Sequence, residues 1–329
     1  MITRREFLAG AAAAGVLRAA RYQPKLMLQP YVWTQVFQKE KIALADGLDR
    51  MFGESKRAGY NRIELMDAFL TPELRSRTAD LVRKYDFEVP VVYQGGAFYE
   101  PESADRSIAN ILQTADRARD LHTEWINTNC NPKKGRERKN DLELATEARY
   151  LNRLGQHLKE RGMRLMMHEH DPDMADGARE WRSNLQNTDP KLVWICLDVH
   201  WVYRGGQDPM ELLHEAGHRI ASLHVRNSVN RVWSESFGGG DVDYRAVASS
   251  LQRIGYQGLI AVELAYESGT NPTRPLEENS ARQPDWIQHE SLRRPSLHKP
   301  RCAGSPSGDG AGKRSPINSG EISSPRIRG

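Results

Sequence analysis

Leu192-Val193-Trp194-Ile195-Cys196-Leu197-Asp198 is a short apolar run that ends on a carboxylate. Nearly continuous apolar runs of this kind are typical of parallel strands that are buried on both faces. Three other runs of the chain end on His168, His224 and Glu263. The four ends stand 30, 26 and 39 residues apart (168 to 198, 198 to 224, 224 to 263), and each spacing is about one strand–helix unit.

Apolar runs alternate with helical patterns through the rest of the chain, and this alternation indicates parallel βαβ units. The strands are predicted at 25–31, 62–66, 88–93, 124–128, 164–168, 192–198, 220–225 and 259–263. The helices are predicted at 42–58, 72–85, 103–121, 142–161, 177–186, 209–216 and 244–254, with a last one beginning at 275. Eight such units predict one α/β domain, a closed (β/α)8 TIM barrel. The alternative is an open doubly wound sheet, but no G-x-G-x-x-G follows strand one.

In such a barrel the C-terminal ends of the strands converge on the face that carries the active site. We therefore expect His168, Asp198, His224 and Glu263 to meet around one ion. Imidazole nitrogens and carboxylate oxygens suit Mn, Co, Zn or Fe rather than Ca.

The N-terminus resembles a twin-arginine export signal, because Thr3-Arg4-Arg5-Glu6-Phe7-Leu8 precedes a short stretch of small residues. That stretch is too short to span a membrane. We expect a signal peptide at 1–21, the barrel at 22–282 and a periplasmic location. The alternative is an amphipathic N-terminal helix with a chance pair of arginines.

The C-terminal segment 283–329 holds six Pro, six Gly and eight Ser, and it is predicted to be a low-complexity disordered tail. Either the tail is natural or the reading frame is altered near the end of the gene. Eight Lys/Arg against four Asp/Glu in this segment account for the whole net charge of +4, so the body is neutral. A neutral body gives no reason to expect a nucleic-acid partner. The three cysteines form no CxxC pair, and Cys196 is expected to be a buried core thiol.

Six segments in order carry a family resemblance: Arg62–Met66, His168–Asp171, Cys196–His200, Leu223–Arg226, Gly238–Tyr244 and Ile260–Glu263. Together they resemble the xylose isomerase-like TIM-barrel superfamily, in its sugar phosphate isomerase/epimerase branch, over about residues 25–282. The resemblance implies one divalent cation (Mn, Co or Zn, with Mg or Fe as further options). It also implies that Asp198, His224 and Glu263 are ligands, together with an acid after strand five.

Strand five departs from the family pattern, because many relatives read E-N-H where this chain reads His168-Glu169-His170. Side chains alternate along a strand, so His168 and His170 share one face and Glu169 takes the other. We expect His168 to be the fourth ligand, with Glu169 as the alternative.

The remaining predicted site residues are candidates for substrate binding: Glu64, His170, His200, Arg226, Trp33 and Trp201. Each also has a purely structural interpretation. The histidines and tryptophans could simply pack, and Glu64 and Arg226 could form ordinary salt bridges.

The predicted function is a metal-dependent sugar isomerase or epimerase, acting on an unphosphorylated sugar. It would remove a proton α to a carbonyl and form an enediolate that the metal stabilises. Glu263 is the expected general base, and His168 could shuttle the proton.

The alternatives are an exported 3-keto-glycoside lyase or hydrolase, and a non-catalytic carbohydrate-binding protein with a structural metal. The expected partner is a small carbohydrate, with no nucleic acid and no membrane span. Homo-oligomerisation is left open.

Overall fold

The computed structural model describes residues 25–281. The signal peptide expected at 1–21 and the tail expected at 283–329 lie outside the described residues. Within the described part of the chain, no helix is long and apolar enough to cross a membrane.

Eight parallel strands form a closed barrel, which confirms the predicted fold class. They are β1 Lys25–Gln29, β2 Arg62–Met66, β3 Glu88–Tyr93, β4 Trp125–Asn129, β5 Arg164–His168, β6 Val193–Asp198, β7 Ile220–Val225 and β10 Leu259–Glu263. The last strand closes the barrel on the first, with Lys25 opposite Leu259 and Gln29 opposite Glu263. A small antiparallel hairpin, β8 Ser228–Val229 and β9 Val232–Trp233, lies between β7 and the following helix.

The described chain has ten α-helices, of which the last follows the final strand and the others lie between strands. They are α1 Tyr31–Glu40, α2 Leu44–Arg57, α3 Arg75–Lys84, α4 Pro101–Ala118, α5 Asp141–Glu160, α6 Ala175–Asn187, α7 Val199–Arg204, α8 Pro209–Ala216, α9 Tyr244–Arg253 and α10 Leu276–Asn279. Local sequence fixes the ends of α5. Asn140 and Glu143 form a reciprocal capping box at its start. Gly162 adopts a φ of 75° just beyond its end, as expected of a residue that terminates a helix.

Strand one was predicted to reach Tyr31, and this is wrong. Pro30 has no N–H to continue the sheet ladder. The side chain of Gln29 instead accepts a hydrogen bond of 2.6 Å from the backbone N–H of Tyr31, where α1 begins. Helices α1 and α7 and the β8–β9 hairpin were not predicted.

The barrel interior is filled by a small apolar cluster, separate from the larger core between strands and helices. Its members are Met27, Val91, Trp125, Met166, Cys196, Ala221, Leu259 and Ala261. Asp198 follows Cys196 by two residues, and Glu263 follows Ala261 by two, so these carboxylates point to the same interior. The polar strand ends therefore lie on top of an apolar plug, at the face where such barrels carry their sites.

Candidate active site

Three predicted ligands meet at the C-terminal ends of the adjacent strands β6, β7 and β10. Asp198, His224 and Glu263 are buried, and each offers one ligand atom within 4.8 Å of the others. Strand register explains part of this, because Asp198 lies directly opposite His224. We call this set of three residues, two carboxylates and one imidazole, the carboxylate group.

His224 lies between two glutamates. Its Nδ1 is 3.0 Å from Oε2 of Glu263, and its Nε2 is 2.7 Å from Oε2 of Glu64. Asn127 fixes Glu64 from the other side, donating to its Oε1 over 2.9 Å. Burial disfavours the charged imidazole, but Cys196 and the carboxylates outweigh it and raise the pKa of His224 well above its ordinary value. The raised pKa favours the imidazolium form of His224, in which each ring N–H donates to one glutamate.

Arg226 pairs with the carboxylates of both Asp198 and Glu263. Its guanidinium donates to Oδ2 of Asp198 and lies 3.3 Å from Oε2 of Glu263. It lies 5.1 Å from the ring centre of Trp201 and 5.0 Å from that of Trp233, within the range of cation–π attraction. Burial would raise the pKa of Glu263, but Arg226 and His224 together lower it to about 2. Glu263 is therefore an ionised carboxylate at neutral pH.

The polar side chains that meet at the strand ends are called the cluster below. Asp198 has a structural task besides its place in this cluster. Its Oδ1 accepts hydrogen bonds from the backbone N–H groups of His200 (2.9 Å) and Trp201 (2.8 Å), and so caps α7. Glu169 positions the backbone of the same residue, because its Oε1 accepts a hydrogen bond of 2.6 Å from the backbone N–H of Asp198. Burial and the charge of Asp198 raise the pKa of Glu169 well above its ordinary value. Its Oε2 is buried and has no hydrogen-bond partner among the described residues, so Glu169 stays the alternative ligand of strand five.

His168 points into the barrel next to His224, and their ring centres are 4.7 Å apart. It forms a second ligand group with Cys196 and His224, whose ligand atoms also lie within 4.8 Å of one another. We call these three residues the thiol group. Cys196 is buried as expected and packs in the apolar cluster, and its Sγ also lies within 4.8 Å of a ring nitrogen of each of the two histidines.

The mouth of the cluster is aromatic. His170 packs edge-on against Trp201 at 5.5 Å, and Trp201 packs against Trp233 at 5.3 Å. His200 faces the hairpin instead, with Nε2 2.8 Å from Oγ of Ser228.

Trp33 is not brought to the cluster. It is fully buried, and its indole N–H donates to Glu54 of α2 over 2.7 Å. These contacts describe packing between α1 and α2, and the substrate-binding role predicted for Trp33 stays a prediction.

Sequence reasoning missed Asn127 as a member of the cluster. A signal was present, because Asn127 and Asn129 alternate with Ile126 and Thr128 on a buried strand. Trp233 was not among the predicted site residues, since the hairpin that presents it was not predicted.

The donor chemistry of the cluster fits a divalent cation. The carboxylate group offers oxygen and imidazole nitrogen, which suit Mn, Co, Zn or Fe. Nδ1 of His168 is buried and has no hydrogen-bond partner among the described residues, so one further donor is available.

A buried charge network supports the loop after β5. Lys139 pairs with both Glu147 and Glu180, and its side chain is 1% exposed. Asp173 hydrogen-bonds Glu180, and its Oδ2 accepts from the backbone N–H of His170 over 2.7 Å. The network thereby reaches the mouth of the cluster through the backbone of His170.

A separate cavity of about 740 Å³ lies on the outside of the barrel, between α5 and α6. None of the cluster residues line it.

The comparisons with known proteins agree with this architecture. The family model described as "Xylose isomerase-like TIM barrel" matches residues 52–289. An inosose dehydratase of Geobacillus kaustophilus is 24% identical over 247 residues, which cover 65% of this chain and 79% of that protein.

Among solved structures, a sugar phosphate isomerase/epimerase from Parabacteroides distasonis superposes with a TM-score of 0.62 at 19% identity, covering 84% of this chain and 98% of that chain. A D-allulose 3-epimerase from Methylomonas sp., solved with D-allulose, gives a TM-score of 0.64 at 16% identity, covering 82% of this chain and 96% of that chain. At these identities the two structures establish the fold.

Proposed function

The chain belongs to the xylose isomerase-like TIM barrel family, and from this we propose that it is a carbohydrate-modifying enzyme that removes a proton α to a carbonyl. One observation carries the proposal. Glu263 is a buried, ionised carboxylate held between His224 and Arg226 at the barrel face that serves catalysis in this fold. The inosose dehydratase and epimerases among its relatives support a carbohydrate substrate.

Each residue of the cluster has a chemical task in this proposal. Glu263 accepts the α-proton through its carboxylate, because it is ionised and lies at the strand end. Arg226 balances its charge and faces the developing oxyanion of the substrate with N–H donors. Glu64 and Asn127 hold His224 in place.

The cation would be held by Asp198, His224 and Glu263, with His168 as the fourth ligand. When bound there, it supplies Lewis-acid polarisation of the substrate carbonyl.

The fate of the proton determines the reaction class. Return of the proton to the opposite face gives epimerisation, and return to the neighbouring carbon gives isomerisation. Loss of a β-hydroxyl as water gives a dehydratase, the activity named for the Geobacillus relative. All three share the first step, so an assay of that step tests the proposal without assuming the product.

The test is hydrogen–deuterium exchange in D2O, followed by NMR on a panel of ketoses and keto-glycosides with Mn2+ present. We expect loss of the α-proton signal of at least one substrate. Glu263→Gln should abolish the exchange and leave the barrel folded. Glu160→Gln, the same change at the exposed end of α5, should have no effect. Normal exchange by Glu263→Gln would refute the assignment of the base, and no exchange on any substrate would refute the function.

We also propose that the chain is exported by the twin-arginine route, on the strength of Thr3-Arg4-Arg5-Glu6-Phe7-Leu8. Cell fractionation of the wild type against Arg4→Lys/Arg5→Lys tests this. Retention of the variant in the cytoplasm is expected, and equal export of both chains would refute the proposal.

A further inference from the structure

The thiol group lies beside the carboxylate group and shares His224 with it, and its His168 is also the fourth ligand proposed for a cation at the carboxylate group. His168, Cys196 and His224 place two imidazole nitrogens and one sulfur within 4.8 Å of one another, and all three residues are buried. Cys196 stands opposite His168 in the β5–β6 register, so the backbone of two adjacent strands fixes this pair. The arrangement is thus part of the barrel and independent of any loop.

An unpartnered donor site points to the same place. His168 is 3% exposed, and its Nδ1 has no hydrogen-bond partner in the described chain. Leaving a buried polar atom without a hydrogen-bond partner is unfavourable. The ring neighbours of His168 are Tyr93 at 5.8 Å and His170 at 4.8 Å, and these edge-on contacts do not satisfy the nitrogen. A cation ligated there would satisfy it.

The existing ion pairs distinguish the two groups. Asp198 and Glu263 already share the guanidinium of Arg226, which a cation at the carboxylate group would have to displace or face. In the thiol group only the shared His224 is ion-paired, with Glu64 and Glu263, and within residues 25–281 His168 and Cys196 have no such partner. Thiolate and imidazole ligands also select softer ions than carboxylates do.

We propose that His168, Cys196 and His224 form a second cation position, which takes a thiophilic ion such as Zn2+ or Co2+ with Cys196 as a thiolate ligand. On binding, the Cys196 thiol and the His224 imidazolium each release one proton to solvent, and the sulfur and the freed imidazole nitrogen each donate an electron pair to the ion. Because both groups need His224, only one of them is complete at a time. Mn2+ and Mg2+, which prefer oxygen ligands, fill the carboxylate group, and Zn2+ and Co2+, which suit either group, fill the thiol group because it offers sulfur.

This inference rests on the proposed function in one respect, since His224 serves both groups. An ion held by the thiol group leaves Glu263 paired with Arg226 and takes His224 away from it. The choice of metal thereby controls whether the proposed base keeps its imidazole partner.

The test is Co2+ absorption spectroscopy on the full-length chain, because a thiolate ligand adds a near-ultraviolet charge-transfer band to the visible d–d bands. A Cys130→Ser/Cys302→Ser variant keeps Cys196 as the only one of the three thiols. We expect one bound Co2+ by equilibrium dialysis, and both kinds of band, in this variant. Cys196→Ser should lose the near-ultraviolet band, whereas Cys130→Ser, which changes a buried thiol outside the group, should keep it.

Visible bands without the near-ultraviolet band would overturn the inference, because the ion would then have no sulfur ligand. Absence of Co2+ binding would overturn it as well. The variant that retains Cys196 decides the matter even if Cys196→Ser fails to fold. Mn2+-supported proton exchange is measured separately. Exchange without the charge-transfer band rejects only this inference, and the band without exchange with any metal rejects only the proposed function.

Discussion

Lys139 carries a buried charge between two glutamates. Its ammonium group pairs with Glu147, which is fully buried, and with Glu180. Asn184 donates to the other oxygen of Glu147 over 2.7 Å. Lys139→Met keeps an apolar stem of similar length but removes the charge. Breaking a buried pair by removing one partner costs about 3–5 kcal/mol, because the remaining carboxylate is left uncompensated.

Thermal unfolding followed by circular dichroism measures this loss. At roughly 2–4 °C per kcal/mol for a domain of this size, Tm should fall by roughly 6–20 °C. Lys84→Met is the matched control, because Lys84 pairs with Asp49 at the surface, where its side chain is 56% exposed. Its Tm should change little, since solvent and salt screen such pairs.

Lys139→Met/Glu147→Gln should recover part of the loss, because it also removes the uncompensated carboxylate. A loss of Tm for Lys139→Met no larger than that for Lys84→Met would contradict a stabilising buried pair. Additive effects of Lys139→Met and Glu147→Gln would contradict it as well, since coupled charges cannot behave independently.

Three other results are expected. Burial and the charge of Asp173 raise the pKa of Glu180 from 4.5 to about 8, so its contribution to stability is full below pH 4.5 and is lost as pH rises to about 8. Glu180→Gln should therefore flatten the fall of Tm across that window, and an unchanged slope would contradict the assignment. Arg226→Met should destabilise the chain in EDTA by about 3–5 kcal/mol, and Mn2+ should restore part of this; no response to Mn2+ would argue against cation binding by the carboxylates. Trp201→Ala should raise KM for proton exchange with little change in Tm, whereas Trp33→Phe should lower Tm and leave KM unchanged; the reverse pattern would show that the two tryptophans are misassigned.

The strands could be predicted almost residue by residue, because parallel strands buried on both faces are continuous apolar runs between polar ends. The β8–β9 hairpin could not. Its turn residues Asn230 and Arg231 have φ values of 53° and 64°, a conformation usually signalled by Asn-Gly. With arginine in the second position, that signal is absent. Helix α7 was not predicted because its N-cap residue, Asp198, is also the last residue of β6.

The polar strand ends of the site could be predicted from the same pattern, but their partners could not. The spacing of His168, Asp198 and His224 places them at one face. It does not show that Arg226 pairs with Asp198, because that contact depends on side-chain direction across two strands. Trp33 shows that a position past a strand end does not by itself place a side chain at the site. Its position past strand one suggested the mouth, and the unpredicted helix α1 turned its indole toward Glu54.

The closure of the barrel has a consequence for biosynthesis. Lys25 pairs with Leu259, so β1 leaves the ribosome 234 residues (25 to 259) ahead of its partner. Until β10 is made, β1 and β7 present free edges that can pair with other chains. The same late strand carries Glu263, so barrel closure and completion of the carboxylate group happen in one step. A chain that stops before β10 lacks the proposed base and keeps two open edges, so it is at once catalytically incomplete and prone to aggregation.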